Sequence, residues 1–309
     1  MQEIRAFVKS MRRAVALLAA CAGTVPAQNA FPTVDIYVAN LTGTGCPCAP
    51  ENVTHRAGYD NQPRFLPDGR SLLYTADDES GGTNIYRLNL TTGQRDRVTS
   101  TPESEFSPTL MLDGRNISVV RIEPDLRQRL WRFELPVRKR DIPVLNYKFQ
   151  RVLEAPEPVG YHVWIDERTL VLFVLGEPNS LYLADVPTGR SEKIAGPIGR
   201  SLHRIPNTKL ASFVDLTDEK NTRIRSVDPA THELKDIVRP LRAGDVDYAW
   251  TPDGRIVMAQ ESVLMAWDPK TGGPWLTLAD FSSAGLQKIT RIAFSPDGKQ
   301  VALVAADRE

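Results

Sequence analysis

Short apolar runs separated by polar turns recur along the chain from about residue 32 onward. In each of six units an aromatic or aliphatic residue precedes a polar turn, and an apolar run follows it, as in residues 71–75, 169–175 and 301–305. Asp-Gly between two such runs is a strong hairpin signal, because glycine adopts positive φ without steric cost. The pattern therefore predicts two antiparallel strands around each turn.

A third run in most units alternates apolar and polar residues, which is typical of a half-buried strand. Clear examples are residues 84–90, 130–133, 180–183 and 264–267. A Thr-Gly turn and a short fourth strand follow in several units, at Thr92-Gly93, Thr188-Gly189 and Thr271-Gly272. Four strands in roughly 40–45 residues match one blade of a β-propeller.

A repeat of 45 residues relates the first two units. Asp60 and Glu105, Pro63 and Pro108, and the turns beginning at Asp68 and Asp113 are all 45 positions apart. The turn then recurs at Asp166, Asn207, Asp253 and Asp297. The sequence therefore predicts six blades.

The two ends of the chain are predicted to complete one blade together. Only one strand follows the last turn, whereas residues 35–41 match the third strand 84–90 at five of seven positions, counting Asp and Asn as equivalent. Residues 51–57 supply a fourth strand. We therefore predict an all-β, six-bladed β-propeller of four-stranded antiparallel blades over residues 32–309, closed by N- and C-terminal strands, which removes open sheet edges. The alternative is an open sandwich of hairpins.

Residues 1–27 have the order of a secretory signal, with basic residues before the apolar run 14–22 and small residues after it. This run rises only about 13 Å as a helix and does not span a bilayer core of about 30 Å. Cleavage after Ala27 would release a soluble protein. A lipoprotein-type signal ending before Cys21 would leave that cysteine lipidated. A helix retained in the fold is the third alternative.

Charge and composition exclude some functions. The chain has 38 basic and 38 acidic residues, 41% hydrophobic and 25% charged residues, which is typical of a globular protein. Removing residues 1–27 leaves 34 basic and 37 acidic residues, a net charge of −3. Because the net charge is close to zero, we expect no nucleic-acid partner. From the signal-like segment we expect export without a transmembrane span, and we expect the exported protein to be a monomer. In a bacterium it would be periplasmic or associated with the outer membrane.

Two of the three cysteines, Cys46 and Cys48, flank a single proline. A bridge between residues so close is strained, although an exported protein encounters oxidising conditions. The alternatives are a plain loop tip, a local disulfide and, less favoured, a metal site that would need further ligands. We predict no metal and no cofactor.

The candidate binding site comes from superimposing the six units. The position of Asp60, where the chain enters each innermost strand, is occupied by Glu105, Val159, Arg200, Asp245 and Ile289 in the other units. These positions converge at one mouth of a propeller channel. We expect three carboxylates and one guanidinium to form a polar binding site there; a merely hydrated rim is the alternative.

Further polar residues lie close to this mouth in sequence. They are Tyr59, Tyr161, Tyr248 and Arg291. His162 and His203 align with Pro63 on the innermost strand, so they are predicted to line the channel. Packed strand histidines are the alternative for these two residues.

Residues 58–70, Phe294-Ser295-Pro296-Asp297-Gly298-Lys299 and the Asn84-Ile85-Tyr86 strand resemble the TolB-type six-bladed β-propeller, with its WD40-like PD repeats. The resemblance covers essentially residues 32–309. In TolB proteins the propeller follows an α/β domain and binds a peptidoglycan-associated lipoprotein in the periplasm. No such domain, and no hydrolase domain of the kind found beside similar peptidase propellers, is expected here. The third and fourth units lack Asp-Gly-Arg, so we expect looser or differently shaped turns there.

No nucleophile elbow, H-E-x-x-H motif, phosphate-binding loop or dinucleotide fingerprint occurs in the sequence. We therefore predict a non-catalytic binding or scaffold propeller that mediates protein–protein or ligand interaction in the cell envelope, with an envelope protein or a small polar ligand as partner. The alternative is an enzyme resembling a polysaccharide lyase or a hydrolase. Asp60, Glu105 and Asp245 would then be its acid and base groups.

Overall fold

The computed structural model of the protein describes residues 31–41, 49–135 and 148–306. Cys21, Cys46 and Cys48, with the predictions of lipidation and of a disulfide, lie outside these residues. In chain order the strands are β1 (Asp35–Asn40), β2 (Glu51–Asn52), β3 (Asp60–Phe65), β4 (Ser71–Asp77), β5 (Thr83–Asn89), β6 (Arg95–Arg97), β7 (Ser104–Leu110), β8 (Asn116–Ile122), β9 (Gln128–Glu134), β10 (Phe149–Arg151), β11 (Val159–Trp164), β12 (Thr169–Val174), β13 (Ser180–Asp185), β14 (Arg190–Ala195), β15 (Ile198–Arg204), β16 (Ala211–Asp215), β17 (Arg223–Val227), β18 (Leu234–Val238), β19 (Ala249–Trp250), β20 (Ile256–Gln260), β21 (Val263–Trp267), β22 (Leu276–Asp280), β23 (Arg291–Phe294) and β24 (Gln300–Ala305).

These strands form six four-stranded antiparallel sheets arranged as the blades of a ring. Blades one to five are β3–β6, β7–β10, β11–β14, β15–β18 and β19–β22, and the sixth has the order β2-β1-β24-β23. The predicted six-bladed propeller is confirmed. Two single helical turns, Glu219–Asn221 and Ser282–Ala284, interrupt the strands, and in the described part of the chain no helix is long and apolar enough to cross a membrane.

The sixth blade joins the two ends of the chain as predicted. β1 pairs with β24 over six residues, from Asp35 opposite Ala305 to Asn40 opposite Gln300. The side-chain amide of Gln300 also donates to that of Asn40, at 3.1 Å. Continuous pairing between the N- and C-terminal strands closes the ring.

The sixth blade also repeats a hydrogen bond of the first blade. The backbone N–H of Ile36 donates to the Thr54 hydroxyl at 3.0 Å, and the N–H of Ile85 donates to the Thr99 hydroxyl at 2.9 Å. The predicted fourth strand, residues 51–57, is shorter than expected. The N–H of Val53 still donates to the carbonyl of Ile36, but the Asn52 side chain then accepts from the N–H groups of Thr54 and His55, and the chain turns away from β1.

The core lies in layers between neighbouring blades. Between blades one and two, Leu73 and Ile85 pack against Ile117, Val119 and Phe133, all of them fully buried. Burying one such side chain stabilises the fold by about 1.5–3 kcal/mol. The alternating apolar residues of the strands therefore hold the blades together.

The turn of the third blade keeps the hydrogen bonds of the Asp-Gly turns. Asp68 accepts from the backbone N–H groups of Arg70 and Ser71, and Asp166 accepts in the same way from Arg168 and Thr169. The turn of the third blade is therefore not looser, because the aspartate side chain, not the glycine, supplies these bonds. It is differently shaped: the N–H of Ile165 donates to the carbonyl of Thr169, four residues on, whereas that of Leu66 donates to the carbonyl of Ser71, five residues on. In the fourth blade, Asn207 adopts φ of 59°, a conformation that asparagine tolerates well.

Four of the six innermost strands have an irregularity that affects which side chains face the channel. The pairing register shifts between Asn61 and Arg64 in β3 and between Phe106 and Thr109 in β7. The strands β11 and β15 have similar shifts near their starts. A bulge bends its strand and redirects the side chains beside it.

Candidate functional site: the central channel

All six blades contribute side chains to one cavity in the centre of the ring. The lining residues are Gln62, Pro63, Arg64, Ser107, Thr109, Tyr161, His162, Arg200, Ser201, Leu202, His203, Asp247, Tyr248, Arg291 and Ile292. The space inside that is open to water-sized molecules is about 60 Å³. The cavity therefore accommodates a small group, not a folded segment.

Asp247 lies between two guanidinium groups in this cavity. Its Oδ2 is 3.0 Å from Nη2 of Arg200, and its Oδ1 accepts from Nη1 of Arg291. Burial raises the pKa of Asp247, but Arg291 and Arg200 outweigh burial and hold this pKa below its usual value. Asp247 is therefore ionised and joins the fourth, fifth and sixth blades.

Arg291 also crosses the channel. Its Nη2 donates to the hydroxyl of Tyr161 at 2.8 Å, and its guanidinium lies 5.3 Å from the centre of the Tyr161 ring. The two residues belong to the sixth and third blades, which face each other across a six-membered ring. The contact therefore spans the channel.

The two channel histidines are neutral. Burial, with a smaller contribution from the nearby Arg64, lowers the pKa of His162 and of His203 to about 3. Nε2 of His162 lies 2.7 Å from the Ser118 hydroxyl, which also accepts from Nε1 of Trp164 at 2.9 Å. The His203 ring packs against Tyr248 with ring centres 4.7 Å apart. Both histidines line the cavity, as expected, and both are packed.

The same arrangement recurs two blades further on. Tyr248 and Nε1 of Trp250 both donate to the Ser212 hydroxyl, at 2.8 and 2.9 Å. In each case a serine of a second strand accepts bonds from the innermost strand of the next blade. These buried hydrogen bonds hold the lining residues of neighbouring blades in position relative to one another.

Asp60 and Glu105 do not line the cavity. Both are fully buried, and each bonds a residue four positions earlier: Asp60 accepts from Nε of Arg56 at 3.0 Å, and Glu105 accepts from Thr101. Burial raises the pKa of Asp60 to about 6 and that of Glu105 to about 7, although these partners oppose the shift. Each carboxylate anchors the segment that enters its strand.

This burial bears on the alternative of an enzyme. An acid or base group must lie within hydrogen-bond reach of the group that it protonates or deprotonates. A substrate in solution does not reach Asp60 or Glu105, because neither is exposed. The geometry therefore does not favour the predicted set of acid and base groups.

The remaining predicted residues lie beside the cavity or at its edge. Asp245 accepts from the backbone N–H of Arg200 at 2.9 Å, and burial raises the pKa of Asp245. Tyr59 is buried next to Arg200 and Arg291, and burial raises the pKa of its hydroxyl. The structure thus brings His162, Arg200, His203, Tyr248 and Arg291 together, with Tyr59 and Asp245 behind them.

The lining therefore differs in charge from the predicted acidic mouth. Three arginines, Arg64, Arg200 and Arg291, and one carboxylate, that of Asp247, line the cavity. The superposition of the six sequence units did not predict that Gln62, Arg64 and Asp247 line the cavity. The strand bulges change which residues face the channel, and the alternation of residue types gives no signal of them.

A wider depression of about 690 Å³ lies outside the ring, beside the loop between β4 and β5. Its arginines are largely paired within the protein: Arg56 contacts Asp60 and Asp77, and Arg97 contacts Asp78. In the described residues no cluster of His, Cys, Asp and Glu could hold a metal ion. The channel, where all six blades contribute side chains to one cavity, is the stronger candidate site.

Comparison with known proteins agrees with the fold. No family model matches the chain. A 41-residue segment, 13% of the chain, is 46% identical to the Tol-Pal system protein TolB of Bordetella pertussis, and it spans 9% of that protein's length. The chain therefore covers only a small part of this curated relative.

Two solved structures share the architecture over most of the chain. The structure of putative TolB from Agrobacterium tumefaciens superimposes with a TM-score of 0.67 at 16% identity, covering 90% of this chain and 99% of that one. TolB from Acinetobacter baumannii gives a TM-score of 0.55 at 15% identity, covering 89% and 64%. The ring of six blades with a polar channel defines a six-bladed β-propeller. Its fold is the TolB-type propeller fold, as the sequence resemblance predicted.

Proposed function

We propose that this protein is an exported, non-catalytic binding or scaffold propeller of the cell envelope, whose central channel receives a small polar ligand or part of a protein partner. The cavity carries this proposal, because six blades place polar and charged side chains around one small space. A few convergent polar groups in a concave site fix the orientation of a ligand and provide specificity. A propeller fold alone does not specify a function, because function depends on the residues of the site.

The envelope location is supported by two observations. Residues 1–27 have the order of a secretory signal, and the curated relatives are Tol-Pal system proteins. N-terminal sequencing and intact mass of the protein from its native host test the location. A chain starting at Gln28 indicates soluble release, a lipid-modified chain starting at Cys21 indicates an anchor, and an uncleaved chain contradicts export.

The binding unit is proposed to be a monomer. The ring closes through β1 and β24 of one chain, so that no second copy is needed to complete the sixth blade. Light scattering coupled to size-exclusion chromatography should give the mass of one chain. A stable dimer would contradict this part of the proposal.

Arg200 provides the test of channel binding. Its side chain is 40% exposed, and it lines the cavity while Asp247 keeps a second partner in Arg291. Arg200→Gln should therefore remove charge from the cavity without unfolding the ring. The matched control is Arg190→Gln, which changes an exposed arginine at the start of the outer strand β14.

The experiment is cross-linking and affinity capture from native envelope, with mass spectrometry of the captured partner. Wild type and Arg190→Gln should capture the same partner, and Arg200→Gln should capture at least tenfold less. Circular dichroism checks that each variant is folded. Equal capture by folded Arg200→Gln would overturn the proposed role of the channel.

A further inference from the structure

Arg64 differs from the other two arginines of the channel. Arg200 and Arg291 share the two oxygens of Asp247. Arg64 lines the same cavity with an exposed side chain, and no described residue forms an ion pair or hydrogen bond with its guanidinium. Its five N–H donors are therefore available to a bound group.

Gln62 presents a second set of donors two residues earlier in β3. Its Oε1 accepts from the Thr75 hydroxyl at 2.8 Å and from the backbone N–H of Ser107 at 2.7 Å. These two donors fix the orientation of the amide, because only its oxygen can accept them. The amide nitrogen has no acceptor among the described residues, and Gln62 lines the cavity.

The charge of the cavity selects the sign of the ligand. Three guanidinium groups face one lining carboxylate, and that carboxylate is already shared by two of them. Arg291 repels the like charge of Arg64. An anion at Arg64 would reduce this repulsion. A cation or a neutral apolar group would gain nothing from these donors.

Size and shape select the chemical class. About 60 Å³ is enough for one small planar group or a few waters. A guanidinium matches a carboxylate through two parallel N–H···O bonds. We propose that Arg64 and Gln62 bind a single carboxylate in the channel, an inference that rests on the channel being the binding site of the proposed function.

The carboxylate has two chemical sources, a free small acid or an acidic side chain of an inserted partner segment. Sodium acetate is the probe for the first source. The peptide N-acetyl-Gly-Asp-Gly-amide is the probe for the second, with the Asn peptide as its neutral control. Binding is measured by NMR at constant ionic strength from the ring signals of His162 and His203, which sense the charge of Arg64.

We expect saturable shifts with acetate, with the Asp peptide, or with both, and none with the Asn peptide. Saturation by acetate supports a free acid, and saturation by the Asp peptide alone supports an inserted side chain. Arg64→Gln should weaken binding at least tenfold, while Arg190→Gln should not change it. Absence of binding by both acids, or equal binding by Arg64→Gln, would overturn the inference.

A second variant does not depend on losing a charge. Gln62→Glu keeps the oxygen that Thr75 and Ser107 donate to, and it places a carboxylate in the cavity as an internal replacement for the ligand. This variant should melt at a higher temperature than wild type at pH 7 and should no longer respond to acetate. An unchanged response to acetate would contradict the site.

The two tests fail separately. If Arg200→Gln abolishes partner capture but neither acid binds wild type, the proposed function of the channel stands and the inference of a carboxylate ligand is wrong. If the acids bind through Arg64 but capture does not depend on Arg200, the carboxylate site stands and partner capture in the channel is wrong.

Discussion

Arg291 of β23 donates a 2.8 Å hydrogen bond to the hydroxyl of Tyr161 in β11, 130 residues earlier in the chain. The two strands belong to opposite blades, so this contact links the halves of the ring across its centre. Tyr161→Phe keeps the ring and its packing against Phe173 but removes the acceptor. We expect a loss of about 1.5–3 kcal/mol in unfolding free energy, the range for a hydrogen bond to a charged group.

Denaturant titration measures this loss. Tyr182→Phe, on β13, is the control, because no described residue forms a hydrogen bond with the Tyr182 hydroxyl. If both variants were as stable as wild type, the contact across the channel would not contribute to stability.

Asp247→Ala should be the most destabilising channel substitution. It removes the only carboxylate in ion-pair contact with Arg291 among the described residues and leaves Arg200 with Asp245 alone, 3.8 Å from its Nε. Breaking a buried ion pair from one side costs about 3–5 kcal/mol. Thermal unfolding measures the effect. Asp185→Ala breaks the exposed contact with Arg168 and should leave the melting temperature unchanged. Similar melting temperatures for the two variants would contradict the role of Asp247.

Glu105 should make stability depend on pH. Burial raises its pKa to about 7, so its contribution to stability is fully present below about pH 4.5 and is lost as the pH rises through 7. Glu105→Gln removes this titration. From pH 4 to pH 8, its stability relative to wild type should increase by about 3 kcal/mol, since one pKa unit corresponds to about 1.4 kcal/mol.

Denaturant titrations at several pH values give this difference. Glu167→Gln, at an exposed turn, provides the control curve. A constant difference between Glu105→Gln and wild type from pH 4 to pH 8 would show that Glu105 does not titrate in this range.

Ser118→Ala should destabilise the contact between blades two and three. It leaves Nε1 of Trp164 and Nε2 of His162 without their partner in a buried place, and an unsatisfied buried polar group costs about 1–3 kcal/mol. Chemical unfolding monitored by tryptophan fluorescence tests this. Ser191→Ala on β14 is exposed and serves as control. Equal midpoints would contradict the prediction.

Ile36→Ala tests the closure of the ring. Ile36 of β1 and Ile85 of β5 are both fully buried at equivalent places in the sixth and first blades. Each substitution to alanine should cost about 2–5 kcal/mol. If Ile85→Ala were destabilising and Ile36→Ala were neutral, β1 would not be an integral part of the sixth blade.

The sequence by itself determined the number of blades, their four strands and the closure of the ring. These features follow from local signals: the alternation of apolar residues, the Asp-centred turns and a repeat of 45 residues. The resemblance of residues 58–70 to TolB-type propellers indicated the same architecture. Superposition of the six sequence units placed five of the lining residues near the channel: His162, Arg200, His203, Tyr248 and Arg291.

Only the tertiary structure decided the charge of the channel. Asp60 and Glu105 lie at the start of innermost strands, as the superposition of the units predicts. Their carboxylates, however, accept hydrogen bonds from Arg56 and Thr101 and are buried. Bulges after these residues direct Gln62 and Arg64 into the cavity. A bulge depends on the pairing of two strands and on packing between blades. The order of residue types along one strand therefore does not specify which side chains reach the centre.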